Sequence, residues 1–254
     1  AQSVGGGGGT GGDAAAATMT VGTPVTGGYA TQVSVAIETA VGGKGGSGGA
    51  GDAVSATVDA GASVKTTGDK ASAVLAQSIG GGGGNSGVPS SVADQIFGQQ
   101  LGITTTIDVG NAASSGGDGQ DVTVNLDEDA RLETGGDGGR GIHAQSVGGG
   151  GGTAAGGEFK LGGNYVGSVG GSADSEEVNA ASQVRLSASL AVRAGAKQGS
   201  GGAAGDVTVS TGAETMIDTG GVDADGILAQ SVGGGGGVAG TMGSEATSQT
   251  LKFP

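Results

Sequence analysis

The chain has 254 residues, 64 of them glycine, with no cysteine or tryptophan and a formal net charge of −14. With 3 prolines and no Gly-X-Y period, collagen is excluded. The 24 acidic against 10 basic residues disfavour nucleic acid and anionic lipid, which repel a negative surface. Aromatic residues are 2% of the chain, so the apolar side chains are mostly Ala and Val. Such small groups fill only a thin core and favour closely stacked layers over a wide globule. The absence of cysteine fits an exported chain, and no 18-residue apolar stretch crosses a membrane as a helix. No signal segment is expected, because Ala1 opens directly on a repeated phrase.

That phrase, Ala-Gln-Ser-(Val/Ile) followed by five glycines, begins at Ala1, Ala76, Ala144 and Ala229. The spacings are 75, 68 and 85 residues. They divide one repeat array into units 1–75, 76–143, 144–228 and a partial unit 229–254. The phrase glutamines are Gln2, Gln77, Gln145 and Gln230, and the glycine runs open at Gly5, Gly80, Gly148 and Gly233. A free linker would drift in both count and context, so the runs are expected to be ordered. Without Cβ they suit tight corners with positive φ, or extended polyglycine bonded on several sides.

After the glycines each unit carries a segment of variable length, 10–30, 85–99 or 153–183, expected as a loop on one face. Within it, residues 91–100 read as one short helical turn. An alternating strand follows, with Val33, Val35 and Ile37, then Ile103, Thr105, Ile107 and Val109, then Val184, Leu186, Ala188 and Leu190 on one side. A Gly-rich connector leads to an Asp at 52, 121 or 206, which opens a second strand. Its alternating residues are Val54, Ala56 and Val58, then Val122, Val124 and Leu126, then Val207 and Val209. Third strands are expected over 63–67, 131–134 and 214–219. The span from that Asp to the next phrase is 23 or 24 residues, a length fixed enough to be one structural unit.

Short strands with Gly and Asp turns read as an all-β, repetitive β-solenoid, parallel β-helix-like, with Gly-rich corners and an elongated form. Two layouts fit. The favoured one winds each unit through about three coils of roughly 20 residues. The other makes each unit one broad layer, with successive phrases about 4.8 Å apart and their glutamines in a ladder.

Chemistry finds little footing. The glycine runs lack the Gly-Lys-(Ser/Thr) ending of a phosphate loop and the helix of a dinucleotide site. His143, the lone histidine, aligns with Leu75 and Leu228, and one His without Cys is too few soft ligands for zinc. No nucleophile elbow occurs, so an enzyme is not expected. Calcium is the one cofactor candidate, because residues 116–121 match the start of a Gly-Gly-x-Gly-x-Asp roll repeat. It would use Asp118 and Asp121, but the other units do not keep the spacing. Of five aromatic residues, Tyr29, Phe97, Phe159 and Tyr165 lie in or beside the variable segments, and Phe253 lies near the end. Any partner is expected there.

The phrase Gly-Ile-x-Ala-Gln-Ser-Val-Gly-Gly-Gly-Gly-Gly over 141–152 and 226–237 resembles the repeats of large autotransporter passengers of Gram-negative bacteria. The Gly-Asp-Val-Thr-Val string at 205–209 resembles them too. The resemblance implies type V secretion, a β-helical passenger on the cell surface, and roles in adhesion, aggregation or biofilm. It would make this chain an excerpt of a passenger, since neither a translocator barrel nor a signal segment is recognised, and no family catalytic motif maps onto it. The expected role is an extracellular structural or adhesive stalk or fibre, self-associating or continuing the same array, with surface glycans or other cells as partners. The alternative is a module that binds glycan, a host surface or ice.

Overall fold

The structure is a computed structural model and describes residues 1–21, 33–96, 100–166 and 196–246. It is all-β, with no helix among the described residues. The first unit gives β1 (Gln2–Val4), β2 (Ala14–Val21), β3 (Val33–Val41), β4 (Val54–Val58) and β5 (Ser63–Thr66). The second gives β6 (Val74–Ile79), β7 (Pro89–Ile96), β8 (Gln100–Val109), β9 (Val122–Leu126) and β10 (Arg131–Thr134). The third gives β11 (Ile142–Val147), β12 (Gly157–Val166), β13 (Val207–Thr211) and β14 (Met216–Thr219), before β15 (Ile227–Val232) and β16 (Met242–Ala246).

Equivalent strands of successive units pair side by side. Three parallel sheets, β1-β6-β11-β15, β4-β9-β13 and β5-β10-β14, surround one core. The alternation read at Val122, Val124 and Leu126 is the reason: all three are buried, with Leu132, Ile142 and Ala144 facing them. Ladder partners stand 75, 68 or 85 residues apart, as at Gln2–Gln77, Gln77–Gln145 and Gln145–Gln230. The three-coil layout is therefore overturned. Strands about 20 residues apart occupy different sheets, and each unit is one broad layer. One alignment also shifts. The ladder sets Val54 against Val122, so Asp52 lies opposite Gln120 rather than Asp121.

From this body the chain runs out along the glycines to an arm and returns through the connector. The arm holds a parallel pair, β2-β7, packed against the sheet β3-β8-β12-β16. The variable segments are thus not plain loops, because they contain β2, β7 and β12. Residues 91–96 are strand rather than helical turn, since β7 pairs with β2 along its whole length. The strand read at 184–190 lies outside the described residues, as do Tyr29, Phe97 and Phe253.

The faces of the arm differ from expectation. Glu38, Ala40, Thr106 and Asp108 are buried, while Ile37 and Val41 are 66% and 52% exposed. Ser91 Oγ donates to Asp108 Oδ1 at 2.5 Å, which satisfies one of the buried carboxylates.

Turns between the body strands also repeat. Gly61, Asp129 and Glu214 hold one turn position at φ of 68°, 59° and 54°. Lys70, Gly138 and Asp223 hold another at 58°, 65° and 54°. The third strand of the third unit starts at Met216 rather than Glu214 because Glu214 occupies this left-handed turn.

Candidate functional site

The repeated phrase is the feature most in need of explanation, and each of its residues has a distinct task. Ala76 and Ala144 point into the core with no exposure, where a larger group would not fit between thin sheets. Ser78 and Ser146 also point inward and are fully buried. Ser3, Ser78 and Ser146 each accept, on Oγ, the backbone N–H at the end of the connector. The donors are Asp52 at 2.8 Å, Gln120 at 2.9 Å and Gly205 at 2.9 Å. The glutamines point outward and form the ladder. Gln2 Nε2 donates to Gln77 Oε1 at 2.6 Å, Gln77 to Gln145 at 3.1 Å, and Gln145 to Gln230 at 3.1 Å. Each amide has one donor and one acceptor for its two neighbours, so identical residues in register satisfy one another.

The glycine runs are ordered, and they are not corners. Gly61 and Gly138 are the described glycines with positive φ, and neither lies in a run. The runs are extended and bond every third residue. Gly5, Gly8 and Gly11 donate to the carbonyls of Ile79, Gly82 and Asn85, so neighbouring runs are parallel. Gly81, Gly84 and Gly87 donate to Gly49, Gly46 and Gly43, so run and connector are antiparallel. A period of three with regular inter-chain bonds is that of an extended helix with three residues per turn. Runs form one layer and connectors a second layer against it.

Backbone proximity explains four of the five glycines. A Cβ on Gly80 or Gly83 would sit 1.9 or 2.1 Å from a connector carbonyl oxygen. On Gly81 or Gly84 it would sit 2.0 Å from the carbonyl of the previous run. The central Gly82 faces out, and its Cβ would meet only the Gly150 oxygen, at 3.9 Å. Every third residue beyond it, Asn85 and Val88, is exposed as well.

Such layers are not self-supporting. Ordering a residue costs about 1–2 kcal/mol and a net hydrogen bond returns about 1, with roughly two N–H groups bonded per turn. The layers hold because the body anchors one end and the arm the other.

The sequence carried a signal for this geometry in the connector 42–51, whose Gly-Gly-x triplets place Lys44, Ser47 and Ala50 three apart. All three are exposed. A local three-residue glycine period therefore does exist. It serves antiparallel layers, not a collagen triple helix.

Asp118 and Asp121, the calcium candidates, have other employment. Asp118 Oδ1 accepts the Ala203 N–H at 2.7 Å, and Asp121 Oδ1 accepts the Asp206 N–H at 2.9 Å. Asp13 and Asn85 cap Val88 and Thr153 of the next unit in the same way, each at 2.7 Å. No group of three His, Asp or Glu side chains able to hold a metal occurs among the described residues. His143 stands between Leu75 and Leu228 in the outward row of the phrase sheet. Burial lowers its pKa, and Arg140 lowers it further. A shallow groove of about 560 Å³ lies beside Asn125, Asp127, Glu128, Ser210 and Thr211, open to solvent. Phe159 and Tyr165 lie on β12, in register with Ile107 and Leu101 of β8.

No protein-family model matches this chain, no curated protein is similar to it beyond chance, and no solved structure resembles it.

Proposed function

We propose that the chain is an extracellular structural and adhesive repeat, a β-solenoid of broad layers forming part of a surface fibre, and not a catalyst. The observation that carries this reading is the ladder of identical residues, Gln2, Gln77, Gln145 and Gln230, paired at every junction. A surface that recognises its own copy one layer away extends by repetition. The acidic composition suits solubility, and the absence of cysteine suits export. The autotransporter-like phrase points to a bacterial cell surface.

The dimensions refine the role. Each unit of 68–85 residues advances the stack by one strand spacing, about 4.8 Å. Eight residues of a run reach outward about 25 Å at 3.1 Å per residue. Length along the axis is thus expensive in residues, and reach away from it is generous. The body acts as the fibre axis, while the polyglycine layers hold the arms away from it as a closely spaced row. Adhesion to glycans or neighbouring cells then falls to the arms.

Duplicating residues 76–143 tests the reading by electron microscopy and X-ray scattering. The particle is expected to thicken by about 4.8 Å at constant width. Widening instead, or collapse to a compact globule, rejects it.

A second reading, a ligand-binding module, draws on the exposed Ile37 and Val41 of the arm. Glycan-array and ice-recrystallisation assays test it. Ile37→Glu with Val41→Glu should abolish any signal that comes from this face.

A further inference from the structure

We propose that the upper layer of one copy docks onto the lower layer of a second copy, head to tail, in the register that already joins successive units. The inference rests on the layered reading above and names the partner as this same chain.

The first observation is glycine without an internal reason. A Cβ on Gly81, Gly84, Gly149 or Gly152 would lie 2.0–2.1 Å from a carbonyl oxygen of the preceding run. Their lower-layer equivalents Gly6 and Gly9 meet nothing within 4 Å. Gly233 also meets nothing within 4 Å, whereas its equivalents Gly80 and Gly148 meet a connector oxygen at 1.9 and 2.1 Å. Both open layers therefore keep clearance that only a further layer uses.

The second observation is exposure. Ile142, in a middle layer, is fully buried, and its upper-layer equivalent Ile227 is 46% exposed.

The third is unfinished bonding. Gly80 and Gly148 donate to Val147 and Val232 one unit up. The same rule carries the Gly233 N–H to the Val4 carbonyl of the second copy, and the Gly236 N–H to that of Gly7. Gln230 of one copy and Gln2 of the next continue the amide ladder.

Charge selects the pairing. Lys65, Glu133 and Asp218 form one column, in which Lys65 Nζ meets Glu133 at 2.5 Å and Asp218 faces the like-charged Glu133. Stacking sets Asp218 over Lys65 of the second copy. The turn column of Lys70, Gly138 and Asp223 sets Asp223 over Lys70. The upper-layer stretch 206–232 holds Asp206, Glu214, Asp218, Asp223 and Asp225 and no basic residue. It thus offers acid where the lower layer offers these two lysines.

Sedimentation and electron microscopy of the full chain over a concentration series test the joint. The wild type should assemble along the strand-stacking axis. Gly9→Val has room in the isolated chain, so its melting temperature should match the wild type while association weakens roughly tenfold or more. Lys65→Glu should also weaken association at low salt, and adding Asp218→Lys to the same chain should restore it. Wild type that stays monomeric while keeping its layered β signature overturns this inference and leaves the proposed function standing. So does Gly9→Val assembling as well as wild type. Loss of the layered fold itself overturns both.

Discussion

In the body, every unit places the same strand in the same ladder. β4, β9 and β13 follow one another in parallel, as do β5, β10 and β14. In the arm the third unit breaks rank. By position β12 follows β2 and β7, yet it leaves their sheet and pairs antiparallel with β8, Phe159 opposite Ile107. The two regions share one covalent repeat, so the difference lies in what each strand buries. A body strand shifted by one residue would turn Val122, Val124 and Leu126 to solvent. An arm strand hides Glu38, Thr106 and Asp108 while showing Ile37 and Val41, so a changed partner forfeits little apolar burial. Strong patterning fixes register, and weak patterning leaves the arm free to vary between units.

The largest test of that contrast lies inside one glycine run, on the path between the two regions. Gly84→Val forces a Cβ to within 2.0 Å of the Gly9 carbonyl oxygen and 2.9 Å of the Gly46 nitrogen. Both are backbone atoms held in layers, so neither can step aside. The expected loss is about 4 kcal/mol or more, read as failure of cooperative urea unfolding. Gly82→Ala, two residues away, faces open space and should stabilise by roughly 0.4–1 kcal/mol through the unfolded chain. Equal effects at the two positions would mean that the layers do not pack as described.

A smaller effect compares side chains across the two regions. Leu132→Ala removes a fully buried group from the three-sheet core and should cost about 2–5 kcal/mol. Ile37→Ala removes a larger side chain of higher apparent promise in the sequence, yet should change stability by no more than about 0.5 kcal/mol. Chemical denaturation of both variants checks this. A severe loss at Ile37 would show that the arm buries its apolar face after all.

Those two residues also mark how far the sequence could be read. Alternation at Val122, Val124 and Leu126 gave both the strand and its inner face, because the polar partners Thr123 and Asn125 cannot enter an apolar core. Alternation around Ile37 gave the strand alone. A period of two names two faces, and the packing partner, unknown in sequence, chooses between them. The repeated phrase disclosed identical pairing, down to the glutamine ladder. It did not disclose coil count, since a 68-residue repeat is compatible with one layer or several. Five identical glycines carry no internal period, so the three-residue geometry was visible only where Lys44, Ser47 and Ala50 interrupt the connector. The calcium candidates Asp118 and Asp121 illustrate a further limit: a carboxylate that caps the next unit's N–H looks the same in sequence as one awaiting a cation.

The smallest effect places a titrating group within the well-registered body. His143 shares its row with Leu75 and Leu228, so the layers above and below offer no charge to welcome an imidazolium. Burial strips water from the ring and Arg140 repels its proton, both lowering the pKa from the ordinary 6.5. The folded state therefore binds a proton less readily than the unfolded chain. Above 6.5 both states are neutral at this site, and its share of stability is fully present. As pH falls below that value the unfolded chain takes up the proton first, and stability declines until the folded pKa is passed. His143→Leu, which copies the residue of the neighbouring units, should remove that decline. The chain's 24 acidic residues titrate in both proteins, so the informative quantity is the wild-type minus variant difference in unfolding free energy across the series. A difference that stays flat with pH would place the imidazole in solvent, outside the row that the leucines define.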